Sequence, residues 1–117
     1  MTLKIYSVVL KLIRRMAPVV PRVRRKSFAL GDQLERALMS VPLNIAEGAY
    51  SRNKNRQARF HTALGSAREA LACLETAQAF GWLGPLEPEL AALFQRVIGT
   101  LVRLALPLSV RGGSARS

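Results

Sequence analysis

The stretch SVPLNIAEGAYSRNKNRQARFHTALGSAREALACLETAQAFG, residues 40–81, joins the end of one amphipathic helix to the whole of the next through a short basic turn. In its second half, apolar side chains recur at Phe60, Leu64, Ala67, Leu71 and Leu74, at spacings of four and three. That period puts them on one helical face and predicts a helix over residues 54–80. Gly65, Ser66 and Ala67 keep the middle of this helix small, which allows another backbone to approach it. Gly81 supplies the left-handed residue that ends it, with Trp82 able to pack back on the last turn. Between the two halves lie Arg52, Lys54, Arg56 and Arg59, and no acid occurs between Glu47 and Glu69. Ser51, Asn53 or Asn55 is available to cap the second helix.

Upstream, Ser27 suits the N-cap of a helix over residues 28–50, whose buried face is Leu30, Leu34, Leu38, Val41 and Ile45. A second stripe on it, Gln33, Arg36, Ser40, Asn44 and Glu47, is polar but mostly uncharged. A solvent face ordinarily carries more Lys and Glu, so this stripe reads as structural, partly buried at a subunit interface; a plain exposed face is the competing reading. Pro42 inside the helix removes a backbone donor, at a cost of roughly 3 kcal/mol in an exposed interior, and predicts a kinked but continuous helix.

The remaining elements follow the same logic. Ile5, Val9, Leu12, Ile13 and Met16 mark a helix over residues 3–17, ended by Pro18 and Pro21 and followed by a basic loop of Arg22, Arg24, Arg25 and Lys26. Pro88 and Glu89 open a helix over residues 88–108 with the stripe Leu90, Phe94, Val97, Leu101, Leu104 and Leu108. Residues 109–117 read as a disordered tail. Four helices with short connections and no strand signal predict an all-α, antiparallel up-down-up-down four-helix bundle, one domain over residues 1–108. Its expected core includes Leu12, Leu34, Leu38, Leu64, Leu71, Phe94 and Leu101.

Composition narrows the function. The 117 residues are 50% hydrophobic, enough for a core without a metal or disulfide staple. Eighteen basic residues against seven acidic ones give a net charge of +11, and residues 1–26 hold eight basic side chains and no acid. Such an excess favours a polyanion as partner, nucleic acid or an anionic membrane surface; a basic surface that serves solubility alone is the bland alternative. A single cysteine fits a reducing compartment, which makes the cytoplasm the expected location. No apolar run approaches the ~18 residues that span a bilayer. Lys11, Arg14 and Arg15 break the N-terminal apolar run IYSVVL, which argues against a secretory signal and leaves an Arg-rich transit peptide as the competing reading.

Catalytic and metal chemistry find no constellation. His61 is the only histidine and lacks a Cys or carboxylate at ligand spacing, so no metal and no cofactor are expected. Cys73 sits among Leu71, Ala72 and Leu74, the setting of a buried small hydrophobe and not of a nucleophile. Glu69 and Glu75 are six apart and do not share a helix face. Gly112 and Gly113 fall in the tail and form no phosphate-cradling loop. The chain does not read as an enzyme.

The run VPLNIAEG at 41–48, with DQLERALMS at 32–40 and FHTALGSAREALACLETAQAFGWL at 60–83, resembles the four-helix-bundle proteins related to the ribosomal-RNA intervening-sequence protein. The same superfamily includes the accessory variability determinant of diversity-generating retroelements. The resemblance spans about residues 5–105 and implies a bundle that assembles as a homo-oligomeric ring, most often a pentamer, with a basic surface. Retroelement members bind nucleic acid and the reverse transcriptase they assist. By position, the signature residues here are Ser40, Pro42, Asn44, Ile45, Glu47, Gly48, Gly65, Ser66 and Glu69, in structural roles with Glu69 facing Asn44 and Glu47. Where the family often has an ETQL-like sequence, this chain has Ala70 to Thr76, and its arm of residues 1–26 is unusually basic.

Three functional readings stay open. The first is a homo-oligomeric scaffold that holds RNA or DNA with little sequence preference, beside a reverse transcriptase in its narrowest form. Its carriers are Arg22, Arg24, Arg25 and Lys26, together with Arg52, Lys54, Arg56 and Arg59. Spacings of four and three point Arg52, Arg56 and Arg59 the same way if the helix begins at Arg52. The second is a membrane-surface protein using the first helix, ranked lower because docking hides its apolar face. The third is a structural oligomer with no dedicated ligand.

Overall fold

The computed structural model describes residues 3–106, and everything described is helix or connection. Five helices run in order: α1 Lys4–Met16, α2 Val19–Lys26, α3 Phe28–Ala49, α4 Asn53–Ala79 and α5 Pro88–Ala105. Leu108 and the expected disordered tail over 109–117 lie outside the described residues. α3 packs on α4 over most of its length, α4 on α5, α2 on α3, and α1 bridges α3 and α5. One apolar core runs between them, and among the described residues it holds no buried polar or charged side chain.

The additional helix corrects the expectation of a basic loop after residue 17. Arg22, Arg24, Arg25 and Lys26 lie on α2, not on a loop. Pro18 occupies the N-cap of α2 and Pro21 its third position. The first turn of any helix has no intrahelical acceptor for its N–H groups, so a proline there sacrifices nothing. The two prolines that end α1 therefore begin α2, and Val20 and Val23 anchor it in the core.

α3 opens as its sequence predicts: the Ser27 hydroxyl accepts from the Leu30 amide at 3.1 Å. It continues unbroken through Pro42, which is buried. At the far end of α4, the Gly81 amide donates to Gln78 and the Trp82 amide to Ala77, both at 2.9 Å, with Gly81 at φ 77°. This double closure requires a residue that tolerates positive φ. Trp82 then stacks on Phe80 with ring centroids 4.5 Å apart.

The start of α4 differs from expectation. Arg52 is its N-cap, in extended conformation and without a side-chain cap. The Ser51 hydroxyl donates back to the Glu47 carbonyl at 2.8 Å, and Asn53, the first residue of α4, adopts φ 55°, a conformation asparagine tolerates better than most residues. Neither they nor Asn55 caps α4.

Of the core residues expected, Leu12, Leu34, Leu38, Leu64, Phe94 and Leu101 are buried, but Leu71 is only half-buried. The inward face of α4 is Phe60, Ala63, Leu64, Ala67, Ala70, Cys73, Leu74 and Ala77. Five of these are alanine or cysteine outside the stripe of large side chains, or small within it, so the face is turned slightly away from Leu71. Small side chains bring α3 and α4 close together. Gly48 shows how close: a Cβ there would sit 2.7 Å from Phe60 Cε1. Gly31 plays the same part against α2, where a Cβ would lie 2.6 Å from the Arg24 Cα. Gly65, by contrast, meets nothing within 4 Å and faces away from the chain.

Truncating Leu64 to Ala should destabilise the fold by about 2–5 kcal/mol, the range for a filled core position. Leu71→Ala should cost less than about 1.5 kcal/mol, because much of its surface stays in water. Urea denaturation of the two variants checks the order, and equal losses would place both on the same face.

Candidate nucleic-acid interface

The two basic clusters lie at opposite ends of α3. Arg22, Arg24, Arg25 and Lys26 precede it, while Arg52, Lys54, Arg56 and Arg59 follow it. With 22 residues at 1.5 Å per residue, α3 separates them by about 33 Å. They do not form one contiguous patch on a subunit.

The members of each cluster differ in how free they are. Among the described residues, Lys11 and Arg15 pair with Glu89, Arg24 with Glu35 at 2.8 Å, and Arg36 with Asp32 at 3.3 Å. Arg24 is also half-buried, its guanidinium 6.0 Å above the Phe28 ring, so it is committed to holding α2 on α3. Arg22, Arg25 and Lys26 are exposed. None of Arg52, Lys54, Arg56 and Arg59 has an acidic partner among the described residues.

Within this second cluster the spacing argument needs correction. Arg52 stands at the N-cap with extended backbone, outside the helical register, so it does not align with Arg56 and Arg59. Arg56 is half-buried: its guanidinium lies 5.0 Å from the Phe60 ring centroid and donates to the Gly48 carbonyl at 3.3 Å. Arg59 reaches Asn44 Oδ1 at 3.5 Å. Arg52 and Lys54 are exposed, and Lys54 lines a shallow recess of about 450 Å³ with Asn53, Arg56, Gln57, Phe60 and Leu104. The result is a cationic corner where the α3–α4 turn meets the end of α5.

Behind that corner the polar stripe of α3 finds its partners inside the chain. Glu69 accepts from Gln33 Nε2 at 3.0 Å, and Ser66 Oγ donates to Ser40 Oγ at 2.7 Å. Asn44 Nδ2 donates to the Ser40 carbonyl at 2.9 Å and to Ser40 Oγ at 3.0 Å. Arg59 and Arg56 extend this seam to Asn44 and Gly48. Antiparallel pairing fixes the register, and it places Glu69 opposite Gln33, not opposite Asn44 and Glu47. Within one subunit Gln33, Ser40 and Asn44 thus reach α4 and Arg36 pairs on its own helix with Asp32, while Glu47 is left exposed. Ser66, noted in the sequence for its small size and by resemblance, closes the seam at its centre.

The same region shows no reactive group. Cys73 is buried, and burial first, then the Glu69 carboxylate, pushes its thiol above the ordinary value. It stays protonated at neutral pH and is a poor nucleophile. His61 is exposed on α4, and no cluster of metal-ligating side chains occurs among the described residues. Nor is any described helix long and apolar enough to cross a membrane.

Compared with known proteins, residues 1–99 match the family model described as 23S rRNA-intervening sequence protein. No curated protein and no solved structure matches the chain.

A double-mutant cycle on Ser40→Ala and Ser66→Ala should give a coupling of about 0.5–1.5 kcal/mol by denaturation, the net worth of a neutral hydrogen bond. Additive losses would mean that the hydroxyls do not meet. Cys73 in the native chain should react with a thiol reagent at least roughly tenfold more slowly than in urea, and should accelerate only as pH climbs past the usual thiol range. Equal rates at neutral pH would contradict its burial.

Proposed function

The chain belongs to the 23S rRNA-intervening sequence protein family, and from that membership we propose a non-enzymatic, homo-oligomeric scaffold that binds nucleic acid with little sequence preference. The observation that carries it is the cationic corner of Arg52, Lys54, Arg56 and Arg59, for which the described residues supply no acidic partner. Most of the acids elsewhere in the bundle neutralise other cations or bond along the seam. Guanidinium and ammonium groups left in that state attract phosphate, and each contact releases condensed counterions. Tyr50 and His61 are the exposed aromatic groups near the corner, so base stacking is minor and phosphate contacts dominate in this reading.

We read α1 and α2 as one arm broken at Ala17–Pro18, which makes the architecture an antiparallel up-down-up-down four-helix bundle. Copies of it assemble in this reading as a ring, most simply a pentamer, that repeats the corner around its rim. Repetition supplies what one subunit lacks, a continuous positive band. The exposed Arg22, Arg25 and Lys26 would add a second band at the other end of α3. Assistance to a reverse transcriptase is the narrowest form of the proposal, and the basic arm of residues 1–26 is its support in the sequence.

Fluorescence anisotropy with single- and double-stranded RNA and DNA tests the reading. Affinity should fall with salt, at a logarithmic slope of about −0.9 per phosphate contact on duplex DNA. Replacing Arg52, Lys54 and Arg59 by Gln spares the Arg56–Phe60 contact, should leave thermal stability nearly unchanged, and should remove up to about three contacts per engaged subunit. Affinity and salt slope unchanged in this variant would remove the corner as the carrier and favour a structural oligomer without a nucleic-acid ligand. Native mass spectrometry at moderate salt should show an oligomer; a monomer at micromolar concentration would end the ring.

A further inference from the structure

Resting on the homo-oligomeric reading, we infer that copies of the chain meet head to tail, the aromatic end of α4 on one copy seating against Phe28 at the α2–α3 junction of the next. Phe80 and Phe28 are 65% and 72% exposed. Aromatic rings left in water are the side chains that most often anchor an interface. The Phe80 ring stands on a firm support. It stacks on Trp82 at 4.5 Å with the ring planes 11° apart, and Gln78 Nε2 donates to the Gly84 carbonyl at 3.1 Å, tying the connector back to α4. Phe28 is the first residue of α3, with the Arg24 guanidinium 6.0 Å from its ring centroid. The exposed Lys26 and Arg25 come two and three positions before it.

Charge selects the occupant. Between Arg68 and Arg96 lie four of the seven acids, Glu69, Glu75, Glu87 and Glu89, and no Lys or Arg. Glu69 is engaged with Gln33, and Glu89 with Lys11 and Arg15. Glu75 and Glu87 are exposed and have no ion pair among the described residues. The passage from α4 to α5 is thus the acidic pole of a chain whose net charge is +11. Carboxylates there repel phosphate, which disfavours nucleic acid and an anionic bilayer and favours a basic surface. A second copy supplies one, with Phe28 set among Arg24, Arg25 and Lys26. The levels of the two sites agree as well. Gln33 meets Glu69 and Asn44 meets Arg59, so the start of α3 and the end of α4 lie at one end of the bundle. α2 packs on α3 and α4 on α5, so Phe28 and Phe80 belong to different flanks of that end. In a ring whose helices run along its axis, rotation carries one copy onto the next without a change of height. A head-to-tail contact then needs its two halves at one level on different flanks. Such a contact engages Arg25 and Lys26 between copies and leaves Arg22 to the band at that end. Arg52, Lys54 and Arg59, at the other end of α3, stay open to nucleic acid.

Native mass spectrometry of the full chain at moderate salt reads the contact. Phe28→Asp and Phe80→Lys alter exposed side chains at the start of α3 and the end of α4, where each new charge suits the helix dipole. Circular dichroism and melting should therefore be unchanged. Each variant alone should associate roughly thirtyfold more weakly or worse, the loss expected at an interface anchor. Mixed in equal amounts, the two should form pairs with one copy of each and nothing larger. The Phe28→Asp chain keeps an intact Phe80 end, and the Phe80→Lys chain keeps an intact Phe28, so one of the two contacts survives. Replacing Arg52, Lys54 and Arg59 by Gln should leave assembly intact, which separates this contact from the nucleic-acid corner. Wild-type assembly in either phenylalanine variant, or no mixed pair, would overturn the inference while the ring stands. Assembly lost only in Met39→Glu/Leu43→Glu would overturn it too, by placing the contact on the outer flank of α3. A wild-type chain that is itself monomeric would end the ring, and this contact with it.

Discussion

The close approach of α3 to α4 is the constraint on which the rest of the molecule depends. It exists because α4 turns an inner face of Ala63, Ala67, Ala70, Cys73 and Ala77 towards the core, with Leu64 and Leu74 interspersed. Small side chains shorten the distance between axes, and the shorter distance forces Gly48 beneath Phe60. Only at that separation do Ser40 and Ser66 come within 2.7 Å. The polar seam is thus a product of the apolar packing beside it. It also fixes how far α4 can slide along α3, since a shift of one turn would unpair Gln33 from Glu69 and Asn44 from Arg59.

The same geometry sorts the cations. Arg24 and Arg56 each lie over an aromatic ring and bond to α3, so part of the excess charge serves the fold. Exposed ion pairs such as Arg15 with Glu89 add little, about 0–1 kcal/mol each. Of the cations without an ion pair among the described residues, Arg25, Lys26, Arg52 and Lys54 stand at helix ends, while Arg68 and Arg96 stand mid-helix. Within the basic clusters the roles divide by residue: Arg24 and Arg56 hold helices together, while Arg52 and Lys54 face solvent.

Periodicity carried most of the architecture. The stripes of large apolar residues located α1, α3, α4 and α5, and Ser27 and Gly81 marked their ends for reasons that are local and chemical. Sequence reasoning failed where the deciding contact was not local. Pro18 and Pro21 looked like terminators because a proline's effect depends on its place in the helix, and the two valines that seat α2 mark its start only once the core exists. Leu71 looked central because size was read as burial, whereas alanines set the face. Of the candidate site, the identity of the basic residues was legible, but their separation along α3 and the withdrawal of Arg24 and Arg56 were not.

α1 packs on α5, so the first helix completes the core against the last, and Arg15 meets Glu89 across 74 positions of chain. Apart from the smaller contact of α1 with α3, every other packed pair of helices is adjacent in the chain. Local pairs close short loops cheaply, while the α1–α5 contact must wait until the intervening chain is ordered. The topology therefore has a natural order of assembly, with the α3–α4 hairpin first and the N-terminal helix last. In a chain made from its N-terminus, the face of α1 that meets α5 would have to stay uncovered until nearly the whole domain had been synthesised, a period in which it is available to chaperones. Native-state hydrogen exchange would register the same hierarchy as early opening of α1 and late opening of α3 and α4.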